Sequence, residues 1–455
     1  MSSGFEGLTS RFLSRSPSRL REASLDFGRL YSEAPRGVLR PHSARDIAQV
    51  IRWAAPRGIP VAARGRGHNG SGYAQAAAGI VVDTRSMAAV RRITGTSVEV
   101  DAGCDWDTLL ARTLPLGLRP PVVPSHRPLS VGGLLAVGGI GEDSFRAGTA
   151  GNTVIDFELV TGTGEILTCS RRSQPELFSA CLGGFGQFGI LTRVRLNLVP
   201  VPPRQRLSRL LYTDPAAYAA DFARLMARPA RVDGLIGSLF PNTRPWMERV
   251  MGPASRAVWV RAGEFPWLLV LEVRYRPEAE AALKLDDLAS LPAARYDQET
   301  AGFVQFDNVP SSPQARNVWL HLMIPADKAA AFIDYVCRTL DVDPETDGPV
   351  SVYPIVPARL GDTAFRAPAA PGLLLFDLMP IVAADDAARL ARVIECLRET
   401  YRFARTLGGM CYPVGALRFT REDWQRHFGG LWEPLRELKR RYDPHAILAP
   451  GVGMF

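Results

Sequence analysis

Apolar and polar positions along this chain switch repeatedly between a period of two and a period near 3.6, which predicts short strands and helices in mixed order. Ile59, Val61 and Ala63 alternate with smaller residues and predict a strand that breaks into a loop with glycines at 65, 67, 70 and 72. Just upstream, Ile47, Val50, Ile51 and Ala54 recur at helical spacing. Ser43 is placed to cap that helix with Asp46 three residues on, and Pro56-Arg-Gly58 to stop it. Gly79–Asp83 predicts a short buried strand and Ser97–Ala102 an alternating one. Trp106, Leu109 and Leu110 begin a helix that ends near Gly117. Residues 152–168 predict a hairpin turning over Thr161-Gly-Thr-Gly164, and Pro175-Glu-Leu-Phe178 starts another helix. Ile190, Thr192, Val194, Leu196 and Leu198 then alternate with Arg193, Arg195 and Asn197, again a strand.

Pro200-Val-Pro-Pro203 marks a boundary, and the segments lengthen beyond it. Strands are predicted at Arg256–Arg261, Trp267–Tyr275, Asn317–Ile324, Pro349–Pro354 and Gly372–Leu378. A helix capped near Asp327 carries Phe332, Val336 and Leu340 on one face, and Asp385–Leu407 predicts a long amphipathic helix. An antiparallel sheet with covering helices follows, so the class is α+β with two domains.

Composition changes this picture little. At 455 residues the chain has room for two domains, and 46% hydrophobic with 22% charged residues is ordinary for a water-soluble protein. The formal charge of +8 comes mostly from arginines spread along the chain, without a basic stripe interleaved with aromatics, so a nucleic-acid partner is not expected. No run of 18 apolar residues occurs and no membrane partner is expected. Six cysteines at irregular spacing form no C-x-x-C pair, which argues against a zinc site or disulfide framework. With no signal-like run at the N-terminus, the expected compartment is the cytoplasm.

Three glycine-rich stretches carry the candidate chemistry. In the first, Arg64-Gly-Arg-Gly-His68-Asn69, glycines let several backbone N–H groups converge on an anionic diphosphate, with one nucleophilic imidazole among them. The second runs from Ser130 to Gly141 and includes Gly132, Gly133, Gly138 and Gly139. The third, Gly184-x-Gly186-x-x-Gly189, has the spacing of a dinucleotide fingerprint but follows a helix and leads into a strand through Ile190. That is the reverse of what the fingerprint requires.

Taken together, the Arg-Gly-x-Gly-His loop, the second stretch with Ser144-Phe-Arg-Ala-Gly148, Gly-Gly-x-Gly-Gln-Phe-Gly-Ile190 and the closing Arg441-Tyr-Asp-Pro-His-Ala-Ile-Leu-Ala-Pro-Gly451 resemble the FAD-linked oxidases of the vanillyl-alcohol oxidase type. Within them the chain is most similar to the cytokinin dehydrogenases, from about Asp26 to Phe455. The resemblance implies a PCMH-type FAD-binding domain over residues 1–200 and a substrate domain over 201–420. Residues 421–455 would return to the first domain. FAD would be held by Arg64, Gly65, Arg66, Gly67, His68, Asn69, Gly132, Gly133, Gly138, Gly139, Gly189 and Ile190. One covalent link through His68 is implied, because residues 125–150 hold no cysteine for a second.

Departures fall where substrate chemistry happens. The aspartate that takes the substrate proton in cytokinin dehydrogenases precedes the Gly-Gly run by five residues, and here that place holds Ser125, followed by His126. The pocket glutamate is replaced by Ile236. Ile355-Val-Pro-Ala-Arg359 lacks the expected asparagine, lysine and tryptophan, with Arg359 standing in for the lysine. Histidine serves as a base near neutral pH with an ordinary pKa of ~6.5. His126 is therefore the first candidate base and Asp143 a second; an ion pair between Asp143 and Arg146 is the plainer reading of those two. The expected activity is oxidation of a small-molecule amine or alcohol by hydride transfer to flavin N5, with oxygen or a quinone as electron acceptor. The alternative is a non-catalytic flavin- or ligand-binding protein that kept the fold and lost the base.

Overall fold

The computed structural model describes residues 13–251, 266–290, 296–301, 303, 312, 314–343 and 346–455. The strand expected at 256–261 lies outside them.

Strands β1 (Leu13–Ser14), β2 (Gly37–Leu39), β3 (Val61–Arg64) and β4 (Ile80–Asp83) form one sheet in the order β1-β2-β4-β3, with β2, β4 and β3 parallel. Parallel strands need a crossover, and the predicted helix carries the chain from β2 past β4 to β3. Ala44–Ala54 is opened by the Ser43–Asp46 capping box and buries Ile47, Val50 and Ile51 in one cluster with Val61, Ile80 and Val82. The first glycine loop therefore leaves β3 at the carboxyl edge of a parallel sheet, where ligand crevices form in open sheets.

A second sheet contains β5 (Val90–Thr94) and β6 (Ser97–Asp101). After the short β7 (Leu118–Arg119), it adds β8 (Val154–Val160), β9 (Ile166–Ser170) and β10 (Ile190–Asn197) in the order β5-β6-β10-β8-β9, all antiparallel. The β8–β9 hairpin turns where the sequence placed it, with the Thr161 N–H donating to the Glu165 carbonyl at 3.0 Å. The Gly184–Gly189 run lies between helix Pro175–Cys181 and β10, in the order that excludes a dinucleotide fingerprint. β11 (Val199–Pro200) pairs back onto β7.

The largest sheet has eight strands. β12 (Arg204–Tyr212), β13 (Gly234–Pro241), β14 (Trp267–Tyr275) and β15 (Tyr296–Ala301) form one half. After β16 (Arg316–Asn317) come β17 (Leu320–Pro325), β18 (Val350–Ile355) and β19 (Leu373–Leu378), then β20 (Ile381–Val382) and β21 (Met410–Cys411). The order is β15-β12-β14-β13-β18-β19-β17-β21. Helices Pro215–Met226, Ala329–Thr339 and Ala387–Thr406 pack on it, and the two-residue period sorts its side chains. Leu320, Leu322, Ile324, Leu374, Phe376 and Leu378 join the cluster that includes Phe222, Phe332 and Leu397. The alternate positions, Met323, Tyr353 and Leu375, join a separate cluster with Ile236. The isoleucine at the expected glutamate position is thus a core residue.

One expectation is corrected here. Asn317–Ile324 is not one strand: the backbone breaks at Val318–Trp319, so β16 pairs with β20 and only β17 enters the large sheet. The side-chain amide of Asn317 donates to the carbonyls of Phe27 and Ser312 and draws β16 away. The next helix starts at Ala329 after a 3-10 turn that holds Asp327, with the adjacent Lys328 at its N-cap, and Asp327 pairs with Lys328 at 3.2 Å.

Buried or half-buried ion pairs join the first two sheets' segments to the large sheet: Glu142 with Arg274, and Arg146 with Asp233 at 3.2 Å. After helices Arg421–Phe428 and Trp432–Tyr442 the chain runs back along β3. Val61 donates to Ile447 at 2.8 Å and Ala449 donates to Val61 at 2.9 Å. Lys439, buried in the last helix, pairs with Asp443 at 2.8 Å and donates to the carbonyls of Gln187 and Leu448. Among the described residues no helix is long and apolar enough to cross a membrane.

Candidate active site

The loop after β3 is shaped by its own side chains. The side-chain Oδ1 of Asn69 accepts from the Ser71 and Tyr73 N–H groups at 3.0 and 2.9 Å, which curls the backbone around His68. Gly67 has φ +73°, a left-handed conformation that side chains rarely adopt, and a Cβ there would overlap the Arg64 guanidinium beneath it. Gly65 lies so close to Ser130, at the start of helix Val131–Ala136, that a Cβ would overlap the Ser130 hydroxyl. The first two glycine stretches thus meet face to face.

Between them and the third stretch lies a cleft enclosing about 1220 Å³, its open mouth included. Gly65, Gly67, Gly132, Gly133, Gly186 and Gly189 line it together with Tyr73, Phe185, Phe188, Leu448 and Ala449. Two buried polar atoms on its wall, Nε2 of His68 and the Tyr73 hydroxyl, have no hydrogen-bond partner among the described residues. A buried polar atom without a partner calls for a bound group or a water to satisfy it.

A second cavity, about 860 Å³ with its mouth, adjoins the first. His68, Leu129, Leu134, Val137 and Val414 line both. Its walls are mainly apolar and aromatic (Phe27, Ile140, Trp319, Tyr353, Leu375, Met379, Tyr412), with Ser125, His126, Asn317, His321 and Asp377 as the polar groups. Among the described residues its lining holds no lysine or arginine. Phe27 stacks on His68 with ring centroids 3.8 Å apart, and His126 lies over it at 4.3 Å. Burial first, and the neighbouring His126 next, push the His68 pKa well below the usual histidine value, so the ring is neutral at physiological pH. The hydroxyl of Ser125 and the indole N–H of Trp319 are also buried without partners among the described residues.

Comparison with known proteins agrees with this geometry. Residues 35–170 match the family described as "FAD binding domain", and residues 312–455 match "Cytokinin dehydrogenase 1, FAD and cytokinin binding". Cytokinin dehydrogenase 7 of Oryza sativa subsp. japonica is 32% identical over 488 aligned positions, covering 95% of this chain and 89% of that protein. The chain belongs to the cytokinin dehydrogenase family. Cytokinin dehydrogenase 3 of Arabidopsis thaliana is 31% identical over 97% of the chain and 90% of its own length. The "Uncharacterized oxidoreductase ORF5 in fasciation locus" of Rhodococcoides fascians is 30% identical, covering 96% and 97%. As a cytokinin dehydrogenase family member the chain is an FAD-dependent oxidoreductase. The glycine-walled cleft fits that cofactor: its glycines admit a close backbone approach, and His68, whose Nε2 is unpaired among the described residues, belongs to its wall.

Most residues expected to hold the cofactor converge on this cleft: Gly65, Arg66, Gly67, His68, Asn69, Gly132, Gly133, Gly189 and Ile190. Arg66 is ion-paired with Asp105. Three do not line it. Arg64 is folded under the loop and donates to the Leu25 carbonyl at 2.9 Å. Gly138 and Gly139 form a turn whose carbonyls accept from Gly151 and Ala150. Of the candidate catalytic residues, His126 is in the second cavity, and the other two are elsewhere. Asp143 is buried in a two-pronged ion pair with Arg119 at 2.9 and 3.0 Å, so both oxygens are engaged, and its partner is not Arg146. Arg359 is exposed in a turn after β18 and lines a different groove. The sequence reading passed over His321 and Asp377. Each interrupts an apolar strand, and that break in the pattern was the available signal.

Proposed function

We propose that the chain oxidises a small, uncharged or cationic amine or alcohol in the second cavity, with FAD bound in the adjoining cleft and covalently held through His68. The single observation that carries this is the shared wall: His68 belongs to both cavities, so a ligand in one touches what is bound in the other. The lining without lysine or arginine disfavours an anionic substrate, and the chain's positive charge is therefore no guide to its ligand. Trp319, Phe27 and Tyr412 offer faces and edges for a planar body, and the unpaired Ser125 hydroxyl offers a polar group to orient it.

FAD supplies a two-electron acceptor for the substrate C–H hydride. The protein's part is to place the substrate, exclude water with the apolar wall, and take the N–H or O–H proton released as the C=N or C=O bond forms. Two histidines, His126 and His321, line the cavity where that proton is released. A neutral His68 has the lone pair that a bond to the flavin requires, and His126 against its ring disfavours the protonated form. The electron acceptor is oxygen or a quinone. The six unpaired cysteines support a reducing compartment, the cytoplasm.

The test is the visible spectrum of the purified protein before and after acid precipitation, followed by anaerobic addition of isopentenyladenine. Yellow colour that stays with the precipitate, and bleaching on addition, are the expected results. Colour released by acid rejects the covalent link. Binding without bleaching by this and by simpler amines and alcohols rejects the oxidase reading.

A further inference from the structure

His321 on β17 and Asp377 on β19 are direct register partners in antiparallel strands. The pleat points both away from the helix-covered face and toward the second cavity, which both line. Nδ1 of His321 lies 2.6 Å from a carboxylate oxygen of Asp377. An ionised carboxylate only accepts, so the imidazole carries its proton on Nδ1 and leaves a lone pair on Nε2. Nε2 makes no hydrogen bond among the described residues. The ring is held in place from several sides. Tyr412 and Trp319 lie edge-on at 6.2 and 6.4 Å, a Cβ on Gly415 would sit 3.2 Å from the ring, and the His321 carbonyl accepts from the Tyr412 N–H. The titratable groups that share the cavity with it are Asp377, Tyr353, Tyr412, His68 and His126.

We propose that His321, positioned by Asp377, is the base of this oxidase. The proposal rests on the reading of the second cavity as the substrate site. As the substrate's C–H electron pair leaves as hydride to FAD, the O–H or N–H proton passes to Nε2 of His321, and the C=O or C=N bond forms. Asp377 gains no proton; it fixes the tautomer and stabilises the imidazolium. A carboxylate-backed imidazole does here what a lone carboxylate does where the sequence has Ser125.

The experiment uses 4-cyanophenol, a small neutral aromatic hydroxyl whose ionisation is read by ultraviolet difference spectroscopy, bound to the flavin-loaded protein. Nε2 as proton acceptor lowers the apparent pKa of the bound phenol by at least about one unit, a tenfold change in ionisation constant. H321Q and D377N abolish that shift while retaining flavin absorbance and phenol binding, whereas H126Q preserves it. A shift lost in H126Q and kept in H321Q overturns the proposal in favour of His126. Binding with no shift in the parent protein overturns it for either histidine. If the phenol neither binds nor perturbs the flavin spectrum, the substrate-site reading itself fails, and the proposal with it. With any substrate that bleaches the parent protein, H321Q slows flavin reduction by roughly 10²–10⁴.

Discussion

The two cavities that meet at His68 are built by opposite means. The cofactor cleft is walled in part by bare backbone: glycines from three separated stretches line it, Gly65 and Gly67 where a side chain would collide, and Leu448 and Ala449 complete the wall. The second cavity is walled by side chains projecting from the large sheet and from the loop around Ser125 and His126. A backbone wall has few ways to change and still bind the same group. A wall of alternate strand positions is rewritten one residue at a time while the strand stays in register. The glycines expected from the resemblance mostly line the first cavity; of the two positions expected to depart from it, Ser125 lines the second cavity and Ile236 is buried in a core cluster.

The comparison can be broken most directly in the cleft. Gly65→Val drives a branched side chain into Ser130 and should leave a folded protein with at least roughly tenfold less bound flavin, about 1.4 kcal/mol or more of lost affinity; absorbance ratios of purified protein check it. Asp443→Ala strands the Lys439 ammonium in the core and removes the acceptor for the Ile447 and Leu448 N–H groups. A loss of about 3–5 kcal/mol is expected in denaturant unfolding, with flavin lost alongside. Trp319→Ala opens the second cavity only: flavin content should hold while the dissociation constant for 4-cyanophenol rises roughly tenfold. Unequal effects of these kinds sharpen the division. Loss of flavin in Trp319→Ala would erase it.

The smallest effect lies outside both cavities. Burial pushes the His427 pKa down to about 3, with the Arg366 charge adding to it. An unfolded histidine titrates near ~6.5. Between these values the unfolded chain binds the extra proton, so this group's contribution to stability falls as pH drops from about 6.5 toward 3, by up to about 1.4 kcal/mol per pH unit. Asp26, raised to about 6 by burial, works the other way across about pH 4–6. The difference between His427→Gln and parent melting temperatures at pH 7.5 and 5.5 is therefore the quantity to measure, and the variant should lose less stability on acidification.

Sequence alone reached the cofactor cleft because its constraints are local. Glycines mark close approach wherever they occur, the Ser43–Asp46 cap and the Thr161–Gly164 turn are read within a few residues, and the strand after Gly189 shows its period directly. The second cavity was harder to read. The pairing of His321 with Asp377 depends on the register of strands whose residues lie 56 positions apart, and no local pattern encodes register. Asp143 looked available because its partner, Arg119, is brought to it only by the fold. β13 escaped notice because it is buried on both faces and its apolar run has no alternation to detect.

One wall of the cleft has a temporal meaning. β3 carries the glycine loop at residues 65–70, and the segment that clasps β3 spans residues 447–449. At translation rates of about 5–20 residues per second, roughly 20–80 s separate the emergence of the loop from that of its clasp. During that interval the cradle stands unlatched on the ribosome, and a cofactor not yet bonded to His68 can leave as readily as it entered. Tight non-covalent capture of FAD thus waits for the emergence of Leu448, and a ribosome stalled before that residue should carry less bound FAD than the released protein.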